Sequence, residues 1–119
     1  MHENNCIYCQ YDDFDLIAKN DFGVVIPEPN KLSNGHSVII PIRHISSFFE
    51  LTEKERKSLM ALLEQARNEL NIRYQPAGFH IGFNDGQIFN QTTEHVHIHI
   101  IPRYEKKALK LDQRWGIEG

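Results

Sequence analysis

The chain has 119 residues, of which 40% are hydrophobic, and it carries two cysteines and a formal net charge of −3. This length fits one domain with its own core, the charge excludes the strongly positive field that captures nucleic acid, and two cysteines exclude a disulfide framework. The N-terminus has no apolar run long enough for a signal peptide or a membrane span, so we expect a cytoplasmic protein that binds neither nucleic acid nor membrane.

The N-terminal segment, residues 1–13, contains Cys6 and Cys9. The spacing Cys-x-x-Cys is typical of metal sites and of redox pairs. The redox interpretation is disfavoured because no strand–helix–strand pattern of the thioredoxin type follows. The remaining alternative to a metal site is two reduced thiols packed within the segment.

Runs of apolar and β-branched residues predict five β-strands, because these side chains suit a pleated, half-buried surface. The first four predicted strands are residues 15–19, 22–26, 36–42 and 79–84. Proline has no amide hydrogen to donate to a neighbouring strand, so Pro27 and Pro29 are expected to end the second strand. Short links elsewhere favour antiparallel pairing.

One long helix is predicted between the third and fourth strands, after a short turn or helical fragment at residues 46–50. Thr52 and Glu55 form a Thr-x-x-Glu capping box, which satisfies free amides at a helix start. Apolar residues then recur at helical spacing. They are Leu59, Leu62, Leu63, Ala66 and Leu70. The predicted class is α+β: an antiparallel sheet of about five strands with one long helix packed on it.

The fifth predicted strand contains three histidines that alternate with aliphatic residues. The histidines are His95, His97 and His99, and the residues between and after them are Val96, Ile98 and Ile100. Successive side chains of a strand point to opposite faces, so the histidines share one face and the aliphatic residues the other. Imidazoles on one face can converge on a small anionic group, which makes this face the predicted site of chemistry.

The alternating histidines followed by two apolar residues resemble the motif of the histidine triad (HIT) family. The resemblance covers nearly the whole chain and implies a single HIT domain, 1–119, with a zinc-binding segment, 1–13, and a C-terminal tail, 104–119. Three further matches are the Cys-x-x-Cys segment, the strand Gly-His-Ser-Val-Ile-Ile-Pro with a histidine after it, and the Asn-Asp-Gly loop that begins at Asn84. Pro102 and Arg103 resemble the bacterial diadenosine polyphosphate hydrolase-like branch.

The resemblance implies a nucleotide phosphohydrolase or nucleotidyl transferase that releases a nucleoside monophosphate, expected to be AMP, through a nucleotidyl-histidine intermediate. It also implies a purine nucleotide substrate and a homodimer. His97 is the candidate nucleophile, because a neutral imidazole has one lone pair with which to attack phosphorus. His99 and His36 are candidate donors to the phosphate oxygens. Thr92 matches a family Ser or Thr that assists the leaving group, although it could instead close a turn.

Five residues are predicted to bind substrate, and they are Glu28, Asn84, Gln91, Phe22 and Ile26. Glu28 matches a family position that contacts the ribose hydroxyls, and the alternative for it is a solvated turn carboxylate. Asn84 is a candidate donor to phosphate and could instead form an Asx-turn. Gln91 belongs to a family Gln-Ser/Thr pair, and Phe22 and Ile26 are expected to line the base pocket.

Zinc is the expected cofactor, at one ion per chain. In family members with an N-terminal Cys-x-x-Cys, the other ligands match the histidine after the third strand, here His44, and the first triad histidine, here His95. Cys6 and Cys9 with these histidines suit tetrahedral Zn²⁺. Four protein ligands leave no open position, so the metal would be structural.

Asn90 departs from the family pattern, because most relatives carry glycine there. Asparagine tolerates positive φ better than most residues.

The tail, 104–119, is either a solvated segment or an element whose cations meet a polyphosphate. Two other functions remain open: a purine-nucleotide-binding regulatory protein with little or no turnover, and an enzyme with zinc or iron bound directly to the triad.

Overall fold

A computed structural model of the chain describes residues 6–13, 15–86 and 95–104. Gln91 and Thr92, both predicted site residues, lie outside the described residues, as do Asn90 and all of the tail after Tyr104.

The predicted α+β class is confirmed. The strands are β1 (Ala18–Lys19), β2 (Gly23–Pro27), β3 (Ser37–Pro41), β4 (Gly78–Gly82) and β5 (Ile98–Arg103), and the long helix is α1 (Glu53–Tyr74). Two 3-10 helices cover Ile7–Asp13 and Phe48–Glu50. Strands β1, β3 and β4 are shorter than predicted, and β1 has only two residues, whereas β2 has the five residues predicted and is shifted by one position. Within the described residues, no helix is long and apolar enough to cross a membrane.

The five strands form one antiparallel sheet in the order β1-β2-β3-β5-β4. Helix α1 connects β3 to β4, and β5 then inserts between these two strands. The register places Val38 opposite His99 and Ser37 opposite Ile100. His99, the last histidine of the motif, is thereby held beside the start of β3, which His36 directly precedes.

Helix α1 packs on one face of the sheet. Its capping box is confirmed: Glu55 N donates to Thr52 Oγ1 at 3.1 Å, and Thr52 N donates to Glu55 Oε1 at 2.8 Å. The predicted apolar stripe is buried against the sheet, except that Leu63 is half-buried. The residues beneath it are Val25, Ile39, Ile98 and Ile100 of the sheet and Val96, which lies just before β5. The aliphatic side of the histidine motif therefore faces the helix.

The N-terminal segment covers the opposite face of the sheet. Its buried residues Cys6, Tyr8, Cys9 and Tyr11 pack on Val24, Ile26, Val38 and Ile40. Because side chains alternate along a strand, this is also the face that carries the triad histidines. The segment and the histidines thus meet on one side of the sheet.

The prediction that the whole histidine motif is a strand is wrong at its start, because β5 begins at Ile98. Val96 N donates to Ile45 O at 2.7 Å, outside the sheet ladder. A partner from the β3–α1 connection replaces the neighbouring strand there.

Candidate active site and metal centre

His36 and His99 are joined in a chain of hydrogen bonds that fixes which nitrogen carries each proton. Leu32 N donates to His36 Nδ1 at 3.0 Å, and His36 Nε2 lies 2.9 Å from His99 Nδ1. Since Nδ1 of His36 accepts, its proton is on Nε2 and is donated to His99, whose own proton is then on Nε2. Burial lowers the pKa of His36 to about 4 and that of His99 to about 3, so both rings are neutral near pH 7.

Gly35 shapes the backbone directly before His36. Its φ is +91°, and a Cβ there would lie 3.0 Å from the ring of Tyr74. Glycine adopts this left-handed conformation without the steric penalty that other residues incur. The turn delivers His36 to the edge of β3, where it reaches His99.

His97 is held in the tautomer that a nucleophile needs. Its Nδ1 lies 2.8 Å from the backbone oxygen of His95, so Nδ1 carries the proton and Nε2 the lone pair. Burial lowers the pKa of His97, which keeps the ring neutral. The ring lies between those of Tyr8 and His99, with centroids 4.5 Å and 4.9 Å away.

Glu28 is buried, with 7% of its surface exposed, so it is not a solvated turn carboxylate. Tyr8 donates its hydroxyl hydrogen to Glu28 Oε1 at 2.9 Å, and Asn30 N donates to Oε2 at 3.2 Å. Burial and the nearby Glu28 raise the pKa of Tyr8, so its hydroxyl stays protonated and remains a donor. Glu28 N donates to His36 O at 3.0 Å, which fixes its backbone beside the histidine cluster.

The four predicted metal ligands come together. The ligand atoms of Cys6, Cys9, His44 and His95 all lie within 4.8 Å of one another, and this group could hold a metal ion. Cys9 Sγ lies 2.9 Å from His44 Nδ1 and 3.4 Å from His95 Nδ1, and Cys6 Sγ also lies 3.4 Å from His95 Nδ1. Tetrahedral Zn²⁺ with ordinary bond lengths separates sulfur and nitrogen ligands by ~3.6 Å. Both distances to His95 Nδ1 are close to this value, and the Cys9–His44 pair would have to separate by about 0.7 Å, so the donor set fits zinc after a small adjustment of that pair.

The hydrogen bonds around the ligands favour metal binding. His95 Nε2 lies 2.9 Å from Pro41 O and so carries the proton, which leaves the lone pair on Nδ1, facing the thiols. Burial, with a contribution from the hydrogen bond to Cys9, raises the pKa of Cys6 to about 11. A bound divalent cation would offset that shift, because it stabilises the thiolate.

A metal bound by all three triad histidines is disfavoured by the same contacts. Both nitrogens of His95 are engaged, one with Pro41 O and the other beside the two thiols. His95 therefore turns away from the cluster that contains His97 and His99.

Asn84, Phe22 and Ile26 are the remaining predicted site residues that belong to the described part of the chain. Asn84 is half-buried and follows Gly82, which pairs with His99 across the sheet. Phe22 is half-buried at the start of β2, and Ile26 is fully buried under the N-terminal segment.

Sequence reasoning missed Tyr8 and the backbone amide of Leu32. Tyr8 lies between the two cysteines, and this position was the one feature of the sequence that could have identified it. Leu32 acts through its main chain, which no side-chain pattern reveals.

A family model described as HIT domain matches residues 13–106. Among relatives, protein hit of Bacillus subtilis is 27% identical over 111 residues, covering 89% of this chain and 77% of the relative. Adenosine 5'-monophosphoramidase hnt1 of Schizosaccharomyces pombe is 25% identical and covers 83% and 74%. AP-4-A phosphorylase of Mycobacterium tuberculosis is 34% identical over 71 residues, covering 59% of this chain but only 36% of that protein.

Solved structures show the same fold. A HIT family protein from Bacillus anthracis superposes with a TM-score of 0.78 at 26% identity, covering 87% of this chain and 76% of that one. A Zn-bound histidine triad family protein from Mycobacterium smegmatis has a TM-score of 0.76 at 21% identity, with coverages of 88% and 79%.

Proposed function

Because the chain belongs to the HIT domain family, we propose that it is a nucleotide phosphohydrolase or nucleotidyl transferase that acts through His97. Its substrate contains a nucleoside monophosphate, AMP in our proposal, joined to a polyphosphate, an amine or another adenylated group. The observation that carries the proposal is the bond from His97 to the His95 carbonyl oxygen, which leaves Nε2 with its lone pair next to two further neutral histidines.

The reaction has two displacements at phosphorus. Nε2 of His97 attacks the phosphorus of the nucleoside monophosphate, and the bond from phosphorus to the leaving group breaks with its electron pair going to that group. Water, or another hydroxyl-bearing acceptor in a transferase, then attacks the phosphorus. The phosphorus–nitrogen bond breaks with its electron pair returning to Nε2, which restores the neutral imidazole, and the proton lost by the acceptor passes to the departed leaving group or to solvent. The hydrogen bond to His95 O stabilises the positive charge that the ring carries in the intermediate.

His99 is the proposed donor to the phosphate oxygens. Its Nδ1 faces His36, so the N–H at Nε2 is available to a negatively charged group. A fixed donor of this kind contributes roughly 3 kcal/mol to transition-state stabilisation. His36 acts through His99 by holding its tautomer. Asn84, Gln91 and Thr92 are proposed to contact the phosphate or the leaving group.

Glu28 is proposed to bind the ribose hydroxyls. Phe22 and Ile26 are proposed to line the pocket for the base. Each carboxylate oxygen has two acceptor positions, so the contacts with Tyr8 and Asn30 leave capacity for a diol. Adenine is proposed because relatives are named for AP-4-A and adenosine 5'-monophosphoramidate chemistry. Hydrolysis of diadenosine polyphosphates, the activity of the branch that the sequence resembles, is one form of this proposal.

Zinc is the proposed metal of the Cys6, Cys9, His44 and His95 centre. A structural neighbour is described as Zn-bound, and the donor set and spacing fit that ion. When bound, the ion supplies folding energy and no open coordination position for the reaction.

We also propose a homodimer, for which β4 offers an edge strand of the sheet.

The proposal is tested with purified protein and a panel of diadenosine tetraphosphate, adenosine phosphoramidate and adenylyl sulfate. We expect AMP to be released from at least one of them, and a base-stable AMP adduct on the peptide that contains His97 after rapid quenching. Tight AMP binding without turnover of any substrate would instead support a nucleotide-binding regulatory protein.

A further inference from the structure

Tyr8 connects three parts of the molecule that the proposed function uses separately. It lies in sequence between Cys6 and Cys9, its hydroxyl donates to Glu28 at 2.9 Å, and its ring lies 4.5 Å from that of His97. Tyr8 is 6% exposed and Glu28 is 7% exposed. The hydrogen bond therefore joins two buried groups, where a missing partner is most costly.

The backbone and the side chain of Glu28 are held by different elements. The backbone is fixed by the β2–β3 hairpin, through the bond from Glu28 N to His36 O. The side chain is oriented by Asn30 N and by the Tyr8 hydroxyl, which comes from the N-terminal segment. A displacement of that segment would leave the hairpin intact and release one carboxylate oxygen.

The position of Tyr8 depends in turn on the metal centre. Residues Ile7–Asp13 form 3-10 turns with a kink at Gln10, and Cys6 and Cys9 lie on either side of Tyr8 at the start of these turns. A metal ion bound by Cys6 and Cys9 would tie these turns to His44, which follows β3, and to His95, which precedes β5. Without the ion, Tyr8 is held against the sheet by aromatic and aliphatic packing and by its own hydrogen bond to Glu28.

We propose that Tyr8 is a positioning residue that orients the Glu28 carboxylate for the ribose and makes nucleotide affinity depend on the Cys-x-x-Cys metal centre. This inference rests on the proposed function, because it assumes that Glu28 binds the nucleotide sugar. It adds a residue and a dependence that the reaction chemistry does not require.

The test is AMP binding measured by calorimetry for wild type and Tyr8→Phe, each with zinc and after chelation. Loss of a hydrogen bond to a buried carboxylate weakens binding by roughly tenfold, so we expect that increase in Kd for Tyr8→Phe with zinc bound. Chelation should raise the wild-type Kd by a similar factor and that of Tyr8→Phe by no more than about twofold, because both changes act through the same bond. Tyr11→Phe removes a hydroxyl from the same buried cluster and serves as the control.

A second readout separates positioning from general loosening of the fold. If Tyr8 acts through the sugar-binding carboxylate, Tyr8→Phe should reduce the preference for AMP over 2′-deoxy-AMP as well as the affinity for AMP. A purely structural role would weaken both ligands equally, which would overturn the inference. Circular dichroism on the same samples checks that the metal-free protein is folded, and if it is not, the zinc-bound comparison decides alone.

The outcomes distinguish this inference from the proposed function. The role of Tyr8 is overturned if the wild type binds AMP and Tyr8→Phe has the same AMP affinity and the same preference for AMP over 2′-deoxy-AMP. The proposed function would still stand in that case. Failure of the wild type to bind AMP at all would overturn the proposed function itself.

Discussion

The imidazoles of His36 and His99 touch end to end, with Nε2 of the first 2.9 Å from Nδ1 of the second, although 63 residues separate them in the chain. The antiparallel register of β3 and β5 creates this contact, because it sets Val38 opposite His99. Leu32 N holds the other nitrogen of His36. One backbone amide thus determines the protonation of two rings.

The low pKa of His36 predicts a loss of stability in mild acid. Burial is the main cause, Arg103 and His97 lower the pKa further, and Glu28 opposes them. In the unfolded chain histidine titrates near 6.5, so below that pH the unfolded state binds a proton that the folded state resists down to about 4. The stability is fully present above about pH 6.5 and is lost as pH falls toward about 4.

The measurement is the free energy of unfolding between pH 7.5 and 5 for wild type and His36→Gln, with zinc present. The slope should fall in the variant by up to about 1.4 kcal/mol per pH unit, which corresponds to one proton. Comparing the two slopes removes the contribution of the metal ligands. Equal slopes would show that His36 is not held neutral by the fold.

The start of α1 predicts a stability difference between two neighbouring glutamates. Arg43 donates to both carboxylate oxygens of Glu55, at 2.9 Å and 2.8 Å, and Glu55 also caps Thr52 N. The hydrogen bond with Arg43 is the main reason that the pKa of Glu55 falls to about 2. Glu55→Gln should cost about 1–2 kcal/mol at pH 7, measured by urea unfolding, and Glu53→Gln should change stability little.

The same pKa gives the sign of the pH effect at Glu55. Its folded-state value is depressed below the ordinary 4.5, so its contribution is present above that pH and is lost as pH falls through about 2. The difference between wild type and Glu55→Gln should therefore shrink in strong acid. A difference that stays constant down to pH 2 would contradict this origin.

Gly23 lies where side chains of α1 pack tightly on the sheet. A Cβ at this position would lie 2.5 Å from Leu59 Cδ2 and 3.0 Å from Ile40 O. Gly23→Ala is expected to destabilise the fold by about 1–3 kcal/mol, because the helix must shift or Leu59 must leave its rotamer. Gly78→Ala is the matched control, since no atom of the described residues lies within 4 Å of its Cβ position. Thermal unfolding of the two variants should separate them clearly.

Metal analysis should find about one zinc per chain in the purified protein. Removing it with a chelator should lower the melting temperature, and Cys9→Ser should bind zinc weakly, because Cys9 Sγ neighbours both ligand histidines. A fully folded, metal-free preparation in which both thiols react at once would contradict the zinc centre.

Local signals predicted the parts of the fold that depend on neighbours in sequence. Thr52 and Glu55 identified the helix start, and the spacing of the apolar residues identified the buried face of α1. Alternation in the histidine motif separated the aliphatic side from the imidazole side. These features depend on helix and strand periodicity, which the sequence carries directly.

Tertiary partners explain what the sequence could not reveal. β5 begins only at Ile98 because Val96 bonds to Ile45, which belongs to another part of the chain. Glu28 looks like a turn residue between two prolines, and its burial arises when Tyr8 folds over it. The α+β class was readable from strand and helix periodicity, and the ligand set was implied by the family resemblance, whereas the tautomers required coordinates.

The kcat of His97→Asn on the best substrate of the panel shows whether His97 supplies the nucleophile. We expect a loss of at least about 1,000-fold in kcat with AMP affinity changed by less than about threefold, because the ring is needed for bond formation and not for holding the nucleotide. His80→Gln replaces a different histidine of the sheet and serves as the control, and its kcat should stay within about threefold of the wild-type value. A His97→Asn protein that turns over substrate at the wild-type rate would show that His97 is not the nucleophile.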